Sequence, residues 1–295
     1  MSDYILSCCS TADISKEHFL KRDLHYLCFH YRLDGVDYPD DLGESVPLDE
    51  FYKRLSQGST STTSQINVSE YLDYFESFLK QGLDVLHVTL SSGISGSYNS
   101  ACNAANIAKS RYPERNIYVV DSLAASSGYG LLMDYAADKR DEGLSIEELR
   151  DWIEENKLRF HHWFYSTDLT FYAKGGRISK AAAIFGGVFN ICPLLNVDVD
   201  GRLIPRERVR GKKNVMKRSL EKMIKYADNG TDYNGKCYMC ESASYDEARE
   251  LADMIEKTFP HLGGPVEINP IGTVIGSHTG PGTISIFFVG ERRKD

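Results

Sequence analysis

Apolar positions in the first half of the chain fall into short runs that alternate with stretches of helical spacing. The pattern predicts a strand over Tyr4 to Cys8, then a helix capped by Asp13 or Ser15 and reaching about Arg22. A strand over His25 to Leu33 meets Asp34-Gly35, a dipeptide suited to a tight hairpin turn, and Val36 to Tyr38 returns. Pro47 to Leu55 reads as a short helix. The stretch GSTSTTSQINVS is rich in hydroxyls that compete for backbone hydrogen bonds, so it reads as a loop. Tyr71, Tyr74, Phe75 and Phe78 then share one helical face.

Val85 to Leu90 is almost continuously apolar, as expected of a strand covered on both sides. The turn SSGISGSY and a helix to about Tyr112 follow. Ile117 to Val120 is a further buried strand ending in Asp121-Ser122, and a helix spans about Ala124 to Arg140. Ser145-Ile-Glu-Glu148 has the spacing of a capping box at the start of another. This rhythm predicts a parallel sheet between helices.

After about Phe160 the rhythm changes. Phe160 to Tyr165 is a strand, and Leu194 to Val199 with Leu203 to Arg208 form a hairpin about Asp200-Gly201. Helices over Val215 to Tyr226 and Tyr245 to Phe259 flank a strand over Lys236 to Glu241, and Ile284 to Val289 closes the chain. This half reads as mixed α+β. The boundary between two domains is expected near residue 160.

Length and composition narrow the function classes. At 295 residues, 42% hydrophobic and 26% charged, the chain supports two domains with a sizeable core. A net charge of -8 argues against a nucleic-acid binder, which needs a basic face. The longest apolar stretch, Ala181 to Leu195, is too short for a membrane span and carries Asn190 and Pro193. The N-terminus lacks a basic region followed by an apolar run and cleavage site, so a cytoplasmic location is expected, with no stable membrane insertion. Seven cysteines in a chain of this size are expected to be reduced thiols. Strand alternation turns Cys237 and Cys240 to opposite faces, which does not suit a shared metal, and no metal or cofactor is expected.

Four segments carry candidate chemistry. Ser91-Ser-Gly-Ile-Ser-Gly-Ser97 lies between an apolar strand and a helix, where a parallel sheet collects ligands. Its glycines permit close approach, and the helix tip and Ser95 offer donors to an anion; alternatively the serines only cap the helix. Thr60, Thr62, Thr63, Ser64 and Gln65 exceed what one cap needs, and read either as a hydrogen-bonding lip or as a solvated loop. His278 sits in Ile275-Gly-Ser-His-Thr-Gly-Pro-Gly282, read as a glycine-rich loop in which an imidazole can donate to a carboxylate. Lys174-Gly-Gly-Arg-Ile178 is not a P-loop. The run after it, with Ile184, Phe185, Val188, Phe189 and Ile191 among small residues, is either a buried core helix or an apolar wall for an alkyl slot. A fatty acid unites these parts. Each methylene taken from water contributes ~0.8 kcal/mol, and a buried carboxylate must meet donors.

Together these segments resemble the DegV family. Ser10-Thr-Ala-Asp13, Thr63-Ser64-Gln65, the serine-glycine turn, Asp121-Ser122, Lys174-Gly-Gly-Arg-Ile178 and the His278 segment stand in the family's order across nearly the whole chain. The resemblance implies an α/β fold of two domains. The N-terminal one, residues 1–160, is a three-layer α/β/α domain with a parallel sheet; the C-terminal one, residues 161–295, is a two-layer α+β domain with a mixed sheet. It implies a carrier, not an enzyme, with a long-chain fatty acid in an apolar cavity between the domains. Thr63, Ser95, Gly96, His278 and Thr279 would bind the carboxylate, and Ile94, Ile184, Phe185, Val188, Phe189 and Ile191 would line the acyl chain. The implied partner is an ATP-dependent, dihydroxyacetone kinase-like fatty acid kinase that makes acyl phosphate for phospholipid synthesis, met by Arg177, Arg208 and Arg210. The chain departs from the family at Cys9, where an acidic residue is usual.

Two other readings stand beside the carrier. A serine hydrolase would use Ser95, His278 and Asp121, but Gly93-Ile-Ser-Gly-Ser97 does not match the G-x-S-x-G elbow. A dinucleotide enzyme would use Gly128-Tyr-Gly130, but Met133 occupies the third glycine position.

Overall fold

A computed structural model describes residues 4–179 and 190–295. Strands β1 (Tyr4–Cys9), β2 (His25–Leu27), β6 (Asp84–Thr89) and β7 (Ile117–Asp121) form an all-parallel sheet in the order β2-β1-β6-β7. Helices α3 (Val68–Leu79) and α4 (Ser97–Arg111) pack together on one face, and α5 (Ser126–Asp141) and α6 (Ile146–Asn156) on the other. The caps follow the sequence. Ser15 accepts from His18 N at the start of α1 (Lys16–Lys21), and Asn67 and Ser145 each close a two-way capping box.

A second, mixed sheet runs β10-β9-β8-β13-β11-β12. It comprises β8 (Phe160–Ser166), β9 (Ile191–Val197), β10 (Leu203–Arg210), β11 (Tyr238–Glu241), β12 (Glu267–Pro270) and β13 (Thr283–Val289). Only β11 with β12 is parallel. Helices α8 (Lys212–Tyr226) and α9 (Tyr245–Thr258) cover one face around Val215, Met223, Leu251 and Ile255. Part of the other face meets α5. Cys237 and Cys240 enter different apolar clusters, one on each side of this sheet. Among the described residues no group of histidine, cysteine and acidic side chains has metal-binding geometry, and no helix is long and apolar enough to cross a membrane.

Three local expectations are corrected. The strand expected over His25 to Leu33 is two strands in different sheets. Phe29 N donates to Ser10 Oγ at 3.1 Å and Phe29 O accepts from Asp40 N at 2.8 Å, which takes the chain out of the parallel sheet. Beyond that point β3 (His30–Leu33), β4 (Val36–Pro39) and β5 (Ser61–Ser64) form a separate antiparallel sheet. The threonine-rich loop is therefore partly a strand: the β3 backbone supplies the partners that local hydroxyls would otherwise offer. The segment with His278 is helical, α10 (Thr273–Thr279), with its glycines at the ends and on the packed face. Helix α2 (Leu48–Ser56) supports it, Tyr52 donating to Ile271 O at 2.7 Å. Short α7 (Thr170–Lys174) and β12 were not expected from the sequence.

Candidate functional site

The carboxyl ends of β6 and β7 face the open side of the mixed sheet across a cavity of about 240 Å³. Such strand ends are where α/β folds place ligands, because the outgoing turns leave a crevice there. Phe29, Leu90, Ile94 and Ala125 line it from the parallel-sheet side. Phe164, Val197, Leu203 and Phe287 line it from the mixed sheet, and Tyr172 and Val274 from the short helices.

Polar groups gather at one end. Thr63 on β5 and His278 on α10 meet at 2.7 Å between Oγ1 and Nε2. Both line the cavity, as do Gln65, Ser95, Arg177 and Thr279. Burial, and then the Arg177 guanidinium, push His278 down to about 4, so the ring is neutral near pH 7. A neutral ring carries one proton, which leaves two arrangements. If Thr63 donates to Nε2, Nδ1–H is spare; if Nε2–H donates to Thr63, the threonine hydroxyl is spare. One donor of the pair is unpaired either way: Nδ1–H, enclosed against Gly175, or the Thr63 hydroxyl. Nδ1 is buried with no partner among the described residues, and so is Thr279 Oγ1.

The helix tip completes this end. The turn after β6 is held by Asp121, whose Oδ1 accepts from Ser92 N at 3.0 Å and Leu123 N at 3.1 Å. Ser95 Oγ accepts from Ser97 N at 3.2 Å, and Gly96 is the N-cap of α4. A Cβ at Gly96 would stand 2.4 Å from Gln65 Oε1, so only glycine lets that side chain reach Ser100 Oγ, 3.1 Å away. Arg177 donates from Nε to Ile94 O at 3.2 Å and from Nη1 to Gly175 O. Burial lowers its pKa, and no carboxylate pairs with it among the described residues. A half-buried guanidinium with no counter-charge among the described residues, a neutral imidazole paired with a threonine hydroxyl, and further hydroxyls lining an apolar cavity suit an organic anion.

The tip of the β9–β10 hairpin roofs the serine-glycine turn. Ser91 Oγ donates to Gly201 O at 2.8 Å, and a Cβ at Gly93 would lie 2.4 Å from Asp200 O. Arg293 donates to Val197 O, Asp198 O and Leu123 O, tying the hairpin to the end of β7.

Thr63, Ser95, His278, Thr279, Ile94 and Arg177 thus line one cavity. Ile184, Phe185, Val188 and Phe189 lie outside the described residues. Ile191 begins β9, opposite Arg210, away from the cavity lining. Arg208 and Arg210 are exposed on edge strand β10. The hydrolase triad is not assembled: Asp121 engages backbone amides, and His278 contacts Thr63 with no carboxylate on its other nitrogen among the described residues. Gly128 and Gly130 lie within α5, where a Cβ on Gly130 would meet Ala12 O, so they serve packing. Sequence reasoning missed Phe164, Tyr172 and Phe287. For Phe164 and Phe287 the only signal was the alternation on β8 and β13, which does not say which face opens on a cavity; Tyr172, on α7, had none.

At Cys9, Sγ lies 3.4 Å from Tyr71 OH and 3.7 Å from His87 Nε2, beneath the site. Burial raises the thiol to about 11 and lowers His87 to about 3, so this network is uncharged near neutral pH.

The fold and site define an α/β protein of two principal sheets enclosing an apolar cavity with anion donors at one end. The model of the DegV family, described as uncharacterised, matches residues 9–291, and the chain belongs to that family. A DegV domain-containing protein of Clostridium perfringens is 34% identical over 294 residues, covering 100% of both chains. A stearic acid-binding protein of Eubacterium ventriosum superposes with a TM-score of 0.84 at 28% identity, covering 97% of this chain and 98% of that one. A Thermotoga maritima protein whose structure is described as revealing fatty acid binding function gives 0.83 at 28% identity, covering 99% and 100%.

Proposed function

We propose that this chain binds a long-chain fatty acid as a carrier, with its carboxylate at Thr63, Ser95, Gly96, His278 and Thr279. The carrying observation is the Thr63–His278 pair at the polar end of an apolar cavity, where the Thr63 hydroxyl is free to donate when Nε2–H bonds its oxygen. The stearic acid and fatty acid ligands named for two structural neighbours above support the same ligand class. Apolar walls supply the driving force, at ~0.8 kcal/mol per methylene buried, and the donors replace the water lost by the head group.

In this reading the chain does no chemistry. The acid lies between two domains that divide near residue 160, and a partner kinase of the ATP-dependent, dihydroxyacetone kinase-like type phosphorylates the presented carboxylate. Arg177 at the mouth and exposed Arg208 and Arg210 suit contact with that partner or with the acyl phosphate. Titration of purified, delipidated protein with stearic acid tests the site. The variant combining Ser95→Ala with His278→Ala is expected to bind at least about 10-fold more weakly, since hydrogen bonds to a charged group contribute about 1.5–3 kcal/mol. Unchanged affinity in that variant removes the assigned head-group position.

A further inference from the structure

On the fatty-acid reading, on which this rests, part of the cavity wall has to move to admit an alkyl chain, and the lining elements differ in how firmly they are tied in. Strand β6 is bonded on both sides, to β1 and β7, and β13 pairs with β8 along its whole length. Helix α10 is joined to β5 twice, through His278 and through Ser277, whose Oγ lies 2.6 Å from Ser61 Oγ. The β9–β10 hairpin is held less. Among the described residues β9 pairs with β8 only over residues 194–196, and β10 is the edge of the sheet. A bulge between Pro205 and Glu207 faces Leu194 and Leu195, at the level where the hairpin parts from β8. Bulges bend the strand that carries them. Beyond that level Val197 and Leu203 pair across the hairpin, and both line the cavity.

The tip is braced within itself. Asp198 Oδ1 accepts from Asp200 N at 3.0 Å and from Arg202 N at 2.8 Å, and Gly201 N donates to Asp198 O at 3.1 Å. It is therefore built to move as one piece. The bonds that hold it down come from outside the hairpin. Ser91 Oγ donates to Gly201 O at 2.8 Å. Arg293, 6% exposed, donates from Nη1 to Val197 O at 3.1 Å and Asp198 O at 3.0 Å, and from Nη2 to Leu123 O at 3.0 Å. A buried guanidinium bonded to carbonyls of the hairpin and of the turn after β7 is a clasp between them. The seat is close: a Cβ on Gly201 would stand 3.1 Å from both Leu123 Cα and Ser91 Cβ.

We propose that the β9–β10 hairpin is the door of the cavity, bending at Asn196 and Pro205 and latched on the turns after β6 and β7 by Ser91 and Arg293. The structure shows the shut state. The latch lies outside the head-group site, so it sets how fast the acid enters and leaves rather than how tightly it is held.

The test measures uptake of stearic acid by delipidated protein, and its release to excess serum albumin, in wild type and Ser91→Ala. Ser91 is not among the residues that line the cavity. Loss of one latch bond is expected to raise both rates by about five- to ten-fold and to leave Kd within about two-fold; loss of a ligand contact would raise release alone. A second arm joins Ser91→Cys with Gly201→Cys, whose Cβ positions stand close to disulfide spacing. Oxidised after loading, that protein should keep its acid through an assay that empties the reduced form; oxidised empty, it should not load. Wild-type rates in Ser91→Ala, or a rise in release alone, overturn the door, as does an oxidised pair that exchanges acid as fast as the reduced one. Failure of wild type to bind stearic acid instead overturns the fatty-acid reading, and the door with it.

Discussion

Gly175 and Gly176 are neighbours that should respond to alanine in different ways. A Cβ on Gly175 would stand 2.2 Å from His278 Nδ1 and 3.2 Å from two ring carbons. The backbone there is ordinary, with φ −71°, so alanine strains nothing except the imidazole. The ring must move, and its 2.7 Å bond to Thr63 moves with it. Overpacking of this kind costs about 1–3 kcal/mol of stability. Losing a donor to a carboxylate costs about 1.5–3 kcal/mol of affinity, roughly 10- to 100-fold in Kd. Gly176 has φ +71° and nothing within 4 Å of its notional Cβ. Alanine there costs about 1–2 kcal/mol through the left-handed backbone alone. Urea denaturation with stearic acid titration on Gly175→Ala and Gly176→Ala separates the two effects. Both variants should lose comparable stability, and only Gly175→Ala should lose affinity. Wild-type affinity in Gly175→Ala refutes the role given to the His278 ring.

Two further outcomes follow from groups away from the cavity. Burial acts to lower His18, but hydrogen bonds and charge from Asp134 and Glu267 outweigh it and raise the ring to about 9. A pKa raised in the folded state stabilises fully below the unfolded value near 6.5, and that stability is lost as pH rises through 9. The stability gap between wild type and His18→Gln should therefore be on the order of 2–3 kcal/mol below pH 6.5 and shrink toward zero by about pH 9, read from urea midpoints across pH; a constant gap refutes the assignment. Ser91→Ala removes the 2.8 Å bond to Gly201 O and leaves a buried carbonyl unpaired. It should cost about 1–3 kcal/mol, with faster exchange of hairpin amides at residues 198–202; unchanged exchange there would show that the hairpin tip is held by other contacts.

Much of the fold was legible because strands buried on both sides announce themselves. Val85 to Leu90 and Ile117 to Val120 lie within one residue of their observed bounds, and the capping box at Ser145 is present with both bonds. That Ser95, Thr63 and His278 share one cavity was legible because Ser95 and Thr63 stand in hydroxyl-rich segments and His278 among glycines. Their secondary structure was not. Ser61–Ser64 becomes a strand only because β3 lies beside it, and β3 lies there only because Phe29 leaves the parallel sheet to bond Ser10 and Asp40. Helix α10 depends on Thr273 donating to buried Asp40 and on Tyr52 reaching Ile271 O, contacts more than 200 residues apart in sequence. Ile184 to Phe189 lie outside the described residues; among the described ones the apolar lining is spread singly over β8, β9, β10, β13 and the short helices. Such a wall exists only once the sheets have folded face to face, and no local window contains it.

Native mass spectrometry of protein purified from cells, followed by organic extraction and analysis of the released lipid, puts the carrier account to its most direct test. The account predicts about one long-chain fatty acid per chain in the wild type and strongly reduced occupancy when Ser95 and His278 are both alanine. A chain that emerges empty, and that still takes up no fatty acid when offered it in excess, contradicts it.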